Sequence, residues 1–169
     1  MPCRCRVARP SDLKELAGIW NDGWNEAHRL LLPPEVSAAR TPESFVRRLE
    51  PGLKDVRVIE DEVGLAGFHY IKGSELYQFY VPARARGRGM AQKLMVDAEH
   101  SFVNRGVIAA WLACAIGNNR AAGFYKKAGW VLTGTFDYSL SLPGGTFNLR
   151  AWRFERSLCC GHRRLEHRE

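Results

Sequence analysis

The change of hydrophobic period at Gly89 limits most strongly what this chain can fold into. Before it, "SELYQFYV" (74–81) alternates as a strand does, and after it the apolar residues recur at helical spacing, at Met90, Leu94, Ala98 and Phe102. The apolar run "VIAAWLACAI" (107–116) is typical of a strand buried on both faces, and "NNRAAGFYKKAG" (118–129) predicts a short helix. This order of strand, glycine-rich turn, helix and buried strand predicts an α/β protein.

The rest of the chain supplies more strands than helices. "CRCRVARP" predicts a first strand, two helices follow with Thr41 and Pro42 at the start of the second, and "DVRVIE" and "EVGLAGFHYIK" predict two further strands. Two last strands follow Gly129. We therefore expect a mixed α/β (α+β), mostly antiparallel six- to seven-stranded sheet flanked by about four helices. Residues 1–158 are predicted to form a single domain, with 159–169 as a basic C-terminal tail.

Charge and composition restrict the partners. The formal net charge of +7 favours anionic ligands, whether phosphorylated cofactors or nucleic acids. No apolar stretch approaches the roughly 20 residues of a membrane span, and the first residues lack the apolar core of a secretory signal. We expect a cytoplasmic protein without a membrane partner. Four tail residues could suggest a metal, but their spacing matches no zinc pattern, so no metal is expected: Cys159, Cys160, His162 and His167.

The turn "RARGRG" (84–89) between strand and helix allows three interpretations. A helix N-terminus offers free N–H groups, glycines let a phosphate approach the backbone, and arginines add positive charge, which together predict an anion cradle. A basic patch for nucleic acid and a solvated turn are the alternatives. The turn is neither a Walker loop nor a dinucleotide fingerprint, because Gly89 is followed by Met90 and Ala91, and Gln92 stands where a third glycine is needed.

Two motifs together resemble a known family. The segment "LYQFYVPARARGRGMAQKLM" is similar to the acyl-CoA-binding segment of the GNAT superfamily of N-acyltransferases, whose signature fits as Arg84-x-x-Gly87-x-Gly89 or as Arg86-x-x-Gly89-x-Ala91. The second register, which we adopt, places Leu94 and Met95 at the family's paired apolar positions. Downstream, "NRAAGFYKKAGW" (119–130) resembles a second block of that family. The resemblance covers roughly residues 3–158.

This resemblance implies a site for acetyl-CoA. The strand holding Phe79, Tyr80 and Val81 would splay from "VIAAWLACAI", so that its free backbone groups bind the pantetheine arm and the acetyl carbonyl. Asn119 would bond the pantetheine, Ala122 would leave room for it, and Tyr125 would protonate the departing thiolate. The diphosphate would be held by the amides of Arg86, Gly87, Arg88, Gly89, Met90 and Ala91.

Acetyl transfer to an amine also needs a proton acceptor, and several residues are candidates. Glu75 begins the strand that would carry the acetyl group and shares its alternation with Tyr77, Phe79 and Val81, whereas Gln78 would point to the other face. We expect Glu75 to be the base or an amine contact. Glu26, His28 and His69 are weaker candidates for the acceptor side.

Three functions remain open from the sequence. The leading hypothesis is an N-acetyltransferase that passes an acetyl group from acetyl-CoA to the primary amine of an unidentified acceptor in a ternary complex. The alternative is a non-catalytic acyl-CoA-binding sensor. Nucleic-acid binding is not expected, because no aromatic side chains are interleaved with the arginines. A homodimer is possible, since dimers are common in the family.

Overall fold

The computed structural model describes residues 4–158, which form one seven-stranded sheet. The strands are β1 (Cys5–Val7), β2 (Val56–Glu60), β3 (Leu65–Lys72), β4 (Glu75–Tyr80), β5 (Ala109–Ala115), β6 (Val131–Leu142) and β7 (Gly145–Ser157). They lie in the order β1-β2-β3-β4-β5-β7-β6. Every neighbouring pair is antiparallel except β4 and β5, which are parallel. The predicted mixed, mostly antiparallel sheet is confirmed.

The described residues contain five α-helices, one more than expected. They are α1 (Leu13–His28), α2 (Pro34–Ala38), α3 (Pro42–Leu49), α4 (Met90–Asn104) and α5 (Asn119–Lys127). The additional helix is α2, in a segment whose adjacent prolines, Pro33 and Pro34, would interrupt a helix in its interior. Pro34 instead occupies the first helical position, where a missing N–H and a fixed φ are tolerated.

Side-chain caps fix where two helices begin. As predicted, Thr41 caps α3, and its hydroxyl accepts a hydrogen bond from the Ser44 amide at 3.2 Å. The cap of α5 is Asn118, whose side-chain oxygen accepts from the Ala121 amide at 3.3 Å. Asn119 is therefore the first helical residue and not the cap.

The sheet has an apolar core on each face. On one side Trp20 of α1, Phe45 of α3 and Phe68 of β3 are at most 2% exposed. On the other side Met95 and Phe102 of α4 pack with Tyr125 of α5. Burying each large apolar side chain contributes roughly 1.5–3 kcal/mol, so these two cores hold the helices that flank the centre of the sheet.

The centre of the sheet is open. β5 pairs with β7 over its whole length, from Ala109 to Ala115, but with β4 only at Glu75 and Trp111. Beyond that one pair the two strands diverge, as expected for a splayed central pair. The resulting wedge leaves the β5-facing edge of β4 unpaired, within the described chain, towards Tyr80.

A bulge in β4 changes which side chains share a face. Tyr70 pairs with Gln78 whereas Ile71 pairs with Leu76, so Tyr77 is an additional residue on β4. Tyr77 packs on the ring of Trp20, while Phe79 stacks on Phe124 in the opposite core. The expected alternation of Glu75, Tyr77 and Phe79 on one face is therefore wrong. Gln78 lies on the same face as Tyr70, because directly paired residues project to the same side.

Candidate functional site

The wedge between β4 and β5 opens into a cavity of about 280 Å³. All of β4 lines it, together with residues of α1, β5, α5, β6 and β7. Gly23 of α1 allows the ring of Tyr80 to approach, because a Cβ at that position would overlap the ring. The cavity brings together more than half of the residues predicted from the sequence, namely Glu75, Phe79, Tyr80, Val81, Arg86, Ala91 and Tyr125.

The other predicted residues lie beside the cavity. Met90 and Ala122 are buried in the cores, 4% and 6% exposed, and Asn119 is exposed at the start of α5. Asn118, the neighbouring cap, lines the cavity instead of Asn119. Gly87, Arg88 and Gly89 form the turn that leads from β4 into α4.

The turn before α4 depends on two left-handed glycines. Gly87 has φ +71° and Gly89 has φ +76°, a region that other residues rarely adopt, and a Cβ at either position would meet no atom within 4 Å. The turn directs the start of α4, with its unpaired first-turn N–H groups, towards the wedge, where Ala91 lines the cavity. The Arg86 amide already donates to the Ala83 carbonyl at 3.2 Å, so Arg86 offers its side chain rather than its backbone.

The three arginines of the turn have different surroundings. Arg84 binds Asp61 at 2.9 Å and the Leu65 carbonyl at 2.7 Å, and Arg88 reaches the same Asp61 carboxylate at 3.2 Å. These two arginines fasten the turn to the β2–β3 connection. Arg86 points the other way, into the cavity lining.

Glu26 of α1 joins two cationic groups at the cavity. It accepts two hydrogen bonds from Arg86, at 2.8 and 2.6 Å, and one from Arg120 of α5 at 2.5 Å. These hydrogen bonds lower the pKa of Glu26 to about 2. A carboxylate thus occupies the position between two guanidinium groups that an anionic ligand group would also favour. Glu26 does not line the cavity itself and lies between the two guanidinium groups of Arg86 and Arg120.

Tyr125 presents a free hydroxyl beside the cavity. Its ring packs among Phe79, Phe124 and Phe154, with centroids 5.7 to 6.4 Å away, and its hydroxyl makes no hydrogen bond within the described residues. Burial raises the pKa of Tyr125 well above its ordinary value, so the phenol keeps its proton. Burial also raises the pKa of the Cys114 thiol, another lining residue, to about 12.

Glu75 is a half-buried carboxyl with one hydrogen-bond donor. Tyr138 of β6 donates to its Oε1 at 2.6 Å. Burial raises the pKa of Glu75, and the Tyr138 hydrogen bond and the nearby Lys72 and Arg153 only partly oppose that effect. A carboxylate whose pKa is raised by burial is a stronger base than an exposed one and is suited to accept a proton.

The two histidine candidates are placed differently. His28 lines the cavity, stacked on Trp24 with 4.1 Å between ring centroids. Its Nδ1 lies 3.2 Å from the Trp24 carbonyl, which can only accept, so Nδ1 carries the proton and Nε2 a lone pair. Burial lowers the pKa of His28 to about 4, so the ring is neutral. His69 is fully buried, its Nε2 lies 2.8 Å from Oδ2 of Asp97, and it lines neither this cavity nor its neighbour.

Sequence reasoning missed several of the lining residues. Arg120 lies inside the second motif at a position that the motif does not specify, and Tyr138 comes from a strand 63 residues after Glu75. Glu75 on β4 and Tyr138 on β6 meet only in the folded chain, so no local pattern predicts their contact. Arg120 could have been found as a basic residue in the first turn of a helix.

Two further observations concern ions and membranes. Across residues 4–158, no three His, Cys, Asp or Glu side chains are grouped so as to hold a metal ion. The tail residues Cys159, Cys160, His162 and His167 lie outside the described part of the chain. None of the described helices combines the length and apolar character needed to cross a membrane.

Sequence comparison matches residues 15–130 to the acetyltransferase (GNAT) family. Two curated proteins from Pectobacterium carotovorum and Pectobacterium atrosepticum, each named as an undecaprenyl phosphate-alpha-4-amino-4-deoxy-L-arabinose arabinosyl transferase, are 38% identical over 85 residues. The match covers 48% of this chain but only 15% of either relative. The chain therefore spans a small part of these relatives.

Solved structures share the fold over nearly the whole chain. A GCN5-related N-acetyltransferase from Rhodopseudomonas palustris has a TM-score of 0.72 at 21% identity, covering 93% of this chain and 96% of that one. The PaiA N-acetyltransferase of Thermoplasma acidophilum, in complex with coenzyme A, has a TM-score of 0.64 at 18% identity, covering 93% and 99%. The spermidine N-acetyltransferase of Vibrio cholerae, with CoA and spermine, also has 0.64 at 18%, covering 92% and 95%. At these identities the likeness is one of fold.

Proposed function

This chain belongs to the acetyltransferase (GNAT) family, and on that basis we propose that it transfers an acetyl group from acetyl-CoA to a primary amine by direct attack in a ternary complex. The observation that carries the proposal is the cavity in the β4–β5 wedge. It is lined by Arg86 and Ala91, on either side of the glycine turn before α4, by Tyr125 with its free hydroxyl and by Glu75. Family neighbours bound to coenzyme A support the donor assignment.

The residues around the wedge fit an acyl-CoA ligand. The unpaired edge of β4 offers backbone groups near Phe79, Tyr80 and Val81, and the start of α4 at Met90 and Ala91 offers N–H groups to a diphosphate. Arg86 and Arg120 supply positive charge now shared with Glu26. We propose that Gly87, Arg88 and Gly89 shape this cradle, and that Asn119 and Ala122 border the pantetheine alongside Asn118. When bound, acetyl-CoA supplies an acetyl thioester whose carbonyl carbon is open to an amine.

Tyr125 is proposed as the proton donor to the departing sulfur. Its proton is retained at neutral pH because burial raises its pKa, and its hydroxyl has no competing acceptor among the described residues. Cys114 is not proposed as an acyl carrier, because a thiol with a pKa of about 12 is protonated at neutral pH. The absence of a reactive thiolate at this position favours direct transfer.

Glu75 is proposed as the group that accepts the amine proton. Its Oε1 accepts a hydrogen bond from the Tyr138 hydroxyl, and burial raises its pKa, which makes the carboxylate a stronger proton acceptor than an exposed one. The amine nitrogen then forms the new C–N bond while the C–S bond breaks. The amine loses its proton to Oε2 of Glu75, and the sulfur gains a proton from the Tyr125 hydroxyl.

The experiment that tests this function combines binding and turnover. Calorimetric titration with acetyl-CoA, CoA and ATP should give micromolar binding of both CoA species and none of ATP, and an amine screen should then reveal thiol release. Binding without turnover across a broad amine panel would favour the acyl-CoA sensor. No binding of either CoA species would overturn the proposal.

Three finer assignments accompany this function. We propose that residues 1–158 form the acyltransferase domain and 159–169 a tail, that the protein acts in the cytoplasm, and that a homodimer is the oligomer to test first. The arabinosyl transfer named for the curated relatives is not carried over, because the match spans only 15% of them. Spermine, bound by one neighbour, is not carried over as acceptor either.

A further inference from the structure

A second cavity, of about 190 Å³, adjoins the first on the α1 and α3 side of the sheet. The two cavities share a wall made of five residues, which are Trp24, Tyr77, Gln78, Tyr138 and Leu140. Tyr138, whose hydroxyl binds Glu75, therefore lies between the carboxyl and the second cavity. A molecule with its amine near Glu75 would reach the second cavity past these shared residues.

The second cavity is lined by two arginines and by no carboxylate of the described residues. Arg40, from the connection between α2 and α3, donates to the Ser141 carbonyl at 2.9 Å, and Arg48 of α3 donates to the same oxygen at 2.9 Å. The two donating nitrogens are consequently no more than about 6 Å apart, since each lies 2.9 Å from one atom. The two guanidinium groups therefore add their positive charges in the same part of the cavity, next to the Ser141 carbonyl.

Arg40 is the unusual member of this pair. It is only 5% exposed, and among the described residues its one hydrogen bond goes to a carbonyl, while its guanidinium carbon lies 5.1 Å from the ring centroid of Trp24. Buried guanidinium groups are almost always paired with an anion, because an uncompensated buried charge is strongly unfavourable. Burial and the charge of Arg48 lower the pKa of Arg40 to about 10, which still leaves it charged at neutral pH.

We propose that the acceptor of this enzyme is an amine that also carries a carboxylate, bound by Arg40 and Arg48 while its amino group faces Glu75. The inference rests on the proposed acetyl transfer and adds the class of acceptor to it. The N–H groups of Arg40 and Arg48 that do not bind the Ser141 carbonyl suit a carboxylate, which accepts several hydrogen bonds in a plane. Small amino acids fit this description, and polyamines, which bring positive charge to both ends, do not.

The test compares acids with their uncharged isosteres. Thiol release is measured at saturating acetyl-CoA for α-amino acids and for ω-amino acids from glycine to 6-aminohexanoate, each against its carboxamide, with spermidine as a polycationic comparison. The acid should have a KM at least tenfold below that of its amide. Arg40→Gln should raise the KM of the acid at least tenfold and leave that of the amide unchanged.

Two further variants distinguish a loss of carboxylate binding from a loss of folding. Arg47→Gln on the same helix removes the same charge at an exposed position that lines neither cavity, and it should change neither KM. Arg48→Gln alters a half-buried residue and should raise the KM of the acid several-fold even if Arg40→Gln does not fold. Calorimetry of the acid and the amide with the CoA-bound protein provides a readout that needs no turnover.

The possible outcomes distinguish a failure of the proposed carboxylate site from a failure of the proposed acetyl transfer. Equal KM and Kd values for acid and amide, or variants that raise both alike, overturn the carboxylate site while acetyl transfer stands. Preferred use of spermidine overturns it as well. Failure of acetyl-CoA to bind overturns both the acetyl transfer and the acceptor class.

Discussion

Tyr125 combines two properties that a proton donor needs, a hydroxyl without an internal partner and a pKa raised by burial. Tyr125→Phe removes only that hydroxyl, so we expect kcat to fall about 100-fold or more while the Kd for acetyl-CoA and the free energy of unfolding change little. Stopped-assay thiol release, calorimetry and urea unfolding measure the three quantities. Tyr70→Phe is the control, because Tyr70 is 4% exposed and lines neither cavity. An unchanged kcat in Tyr125→Phe contradicts the donor role.

Glu75 and Tyr138 form a pair whose pH dependence can be predicted. The Tyr138 hydroxyl donates to Glu75 and so stabilises its charged form, which opposes the larger effect of burial. Removing that donor in Tyr138→Phe raises the pKa of Glu75 further. Because the deprotonated carboxylate is the active form, the acid limb of the kcat/KM profile should move to higher pH.

The control for that shift is Tyr77→Phe. Tyr77 lines the same two cavities, but its hydroxyl makes no hydrogen bond within the described residues, so the acid limb should stay in place. Glu75→Gln should abolish the limb altogether. A limb that persists in Glu75→Gln would show that another group, such as His28, accepts the proton.

At the scale of elements, the turn between β4 and α4 is the feature most dependent on glycine. Gly89→Ala places a side chain in open space but in a left-handed conformation, which costs roughly 1–2 kcal/mol of stability. Relaxation of that strain would redirect the first amides of α4, so we expect the Kd for acetyl-CoA to rise at least tenfold. Calorimetry and urea unfolding measure the two effects.

Gly144→Ala separates backbone strain from binding. Gly144, in the β6–β7 turn, has φ +86° and equally open space around its Cβ position, so the loss of stability should match that of Gly89→Ala. The Kd for acetyl-CoA should remain unchanged. A similar loss of affinity in both variants would show that the effect comes from general destabilisation.

The elements of this fold were predictable where their signals are local. The period change at Gly89 gave the start of α4, and Thr41 with Pro42 gave the start of α3, because caps and periodicity act within a few residues. The bulge at Tyr77 was not predictable, since it depends on the pairing with β3. Arg40 was missed for a similar reason: its partner Ser141 lies 101 residues away and is brought near only by the completed sheet.

At the scale of the whole molecule, the wedge divides the sheet into two parts. Strands β1 to β4 form one part and β5, β7 and β6 the other, and the pair Glu75–Trp111 is the only ladder contact between β4 and β5 among the described residues. Arg120 of α5, at the wedge, forms an ion pair with Glu26 of α1 and so links the two parts. A ligand bound in the wedge would contact both parts and so resist their separation.

That arrangement predicts how acetyl-CoA changes the stability of the folded chain. A ligand at 100 times its Kd stabilises a protein by about 2.7 kcal/mol. For a chain of 169 residues this corresponds to a rise in Tm of roughly 5–11 °C. Scanning calorimetry with acetyl-CoA, and with ATP as a non-binding control, measures the shift.

Hydrogen exchange should slow at the amides of residues 76–81 and at the start of α4, because the unpaired edge of β4 gains partners only when the wedge is filled. A rise in Tm without that local protection would show that acetyl-CoA binds elsewhere on this basic protein.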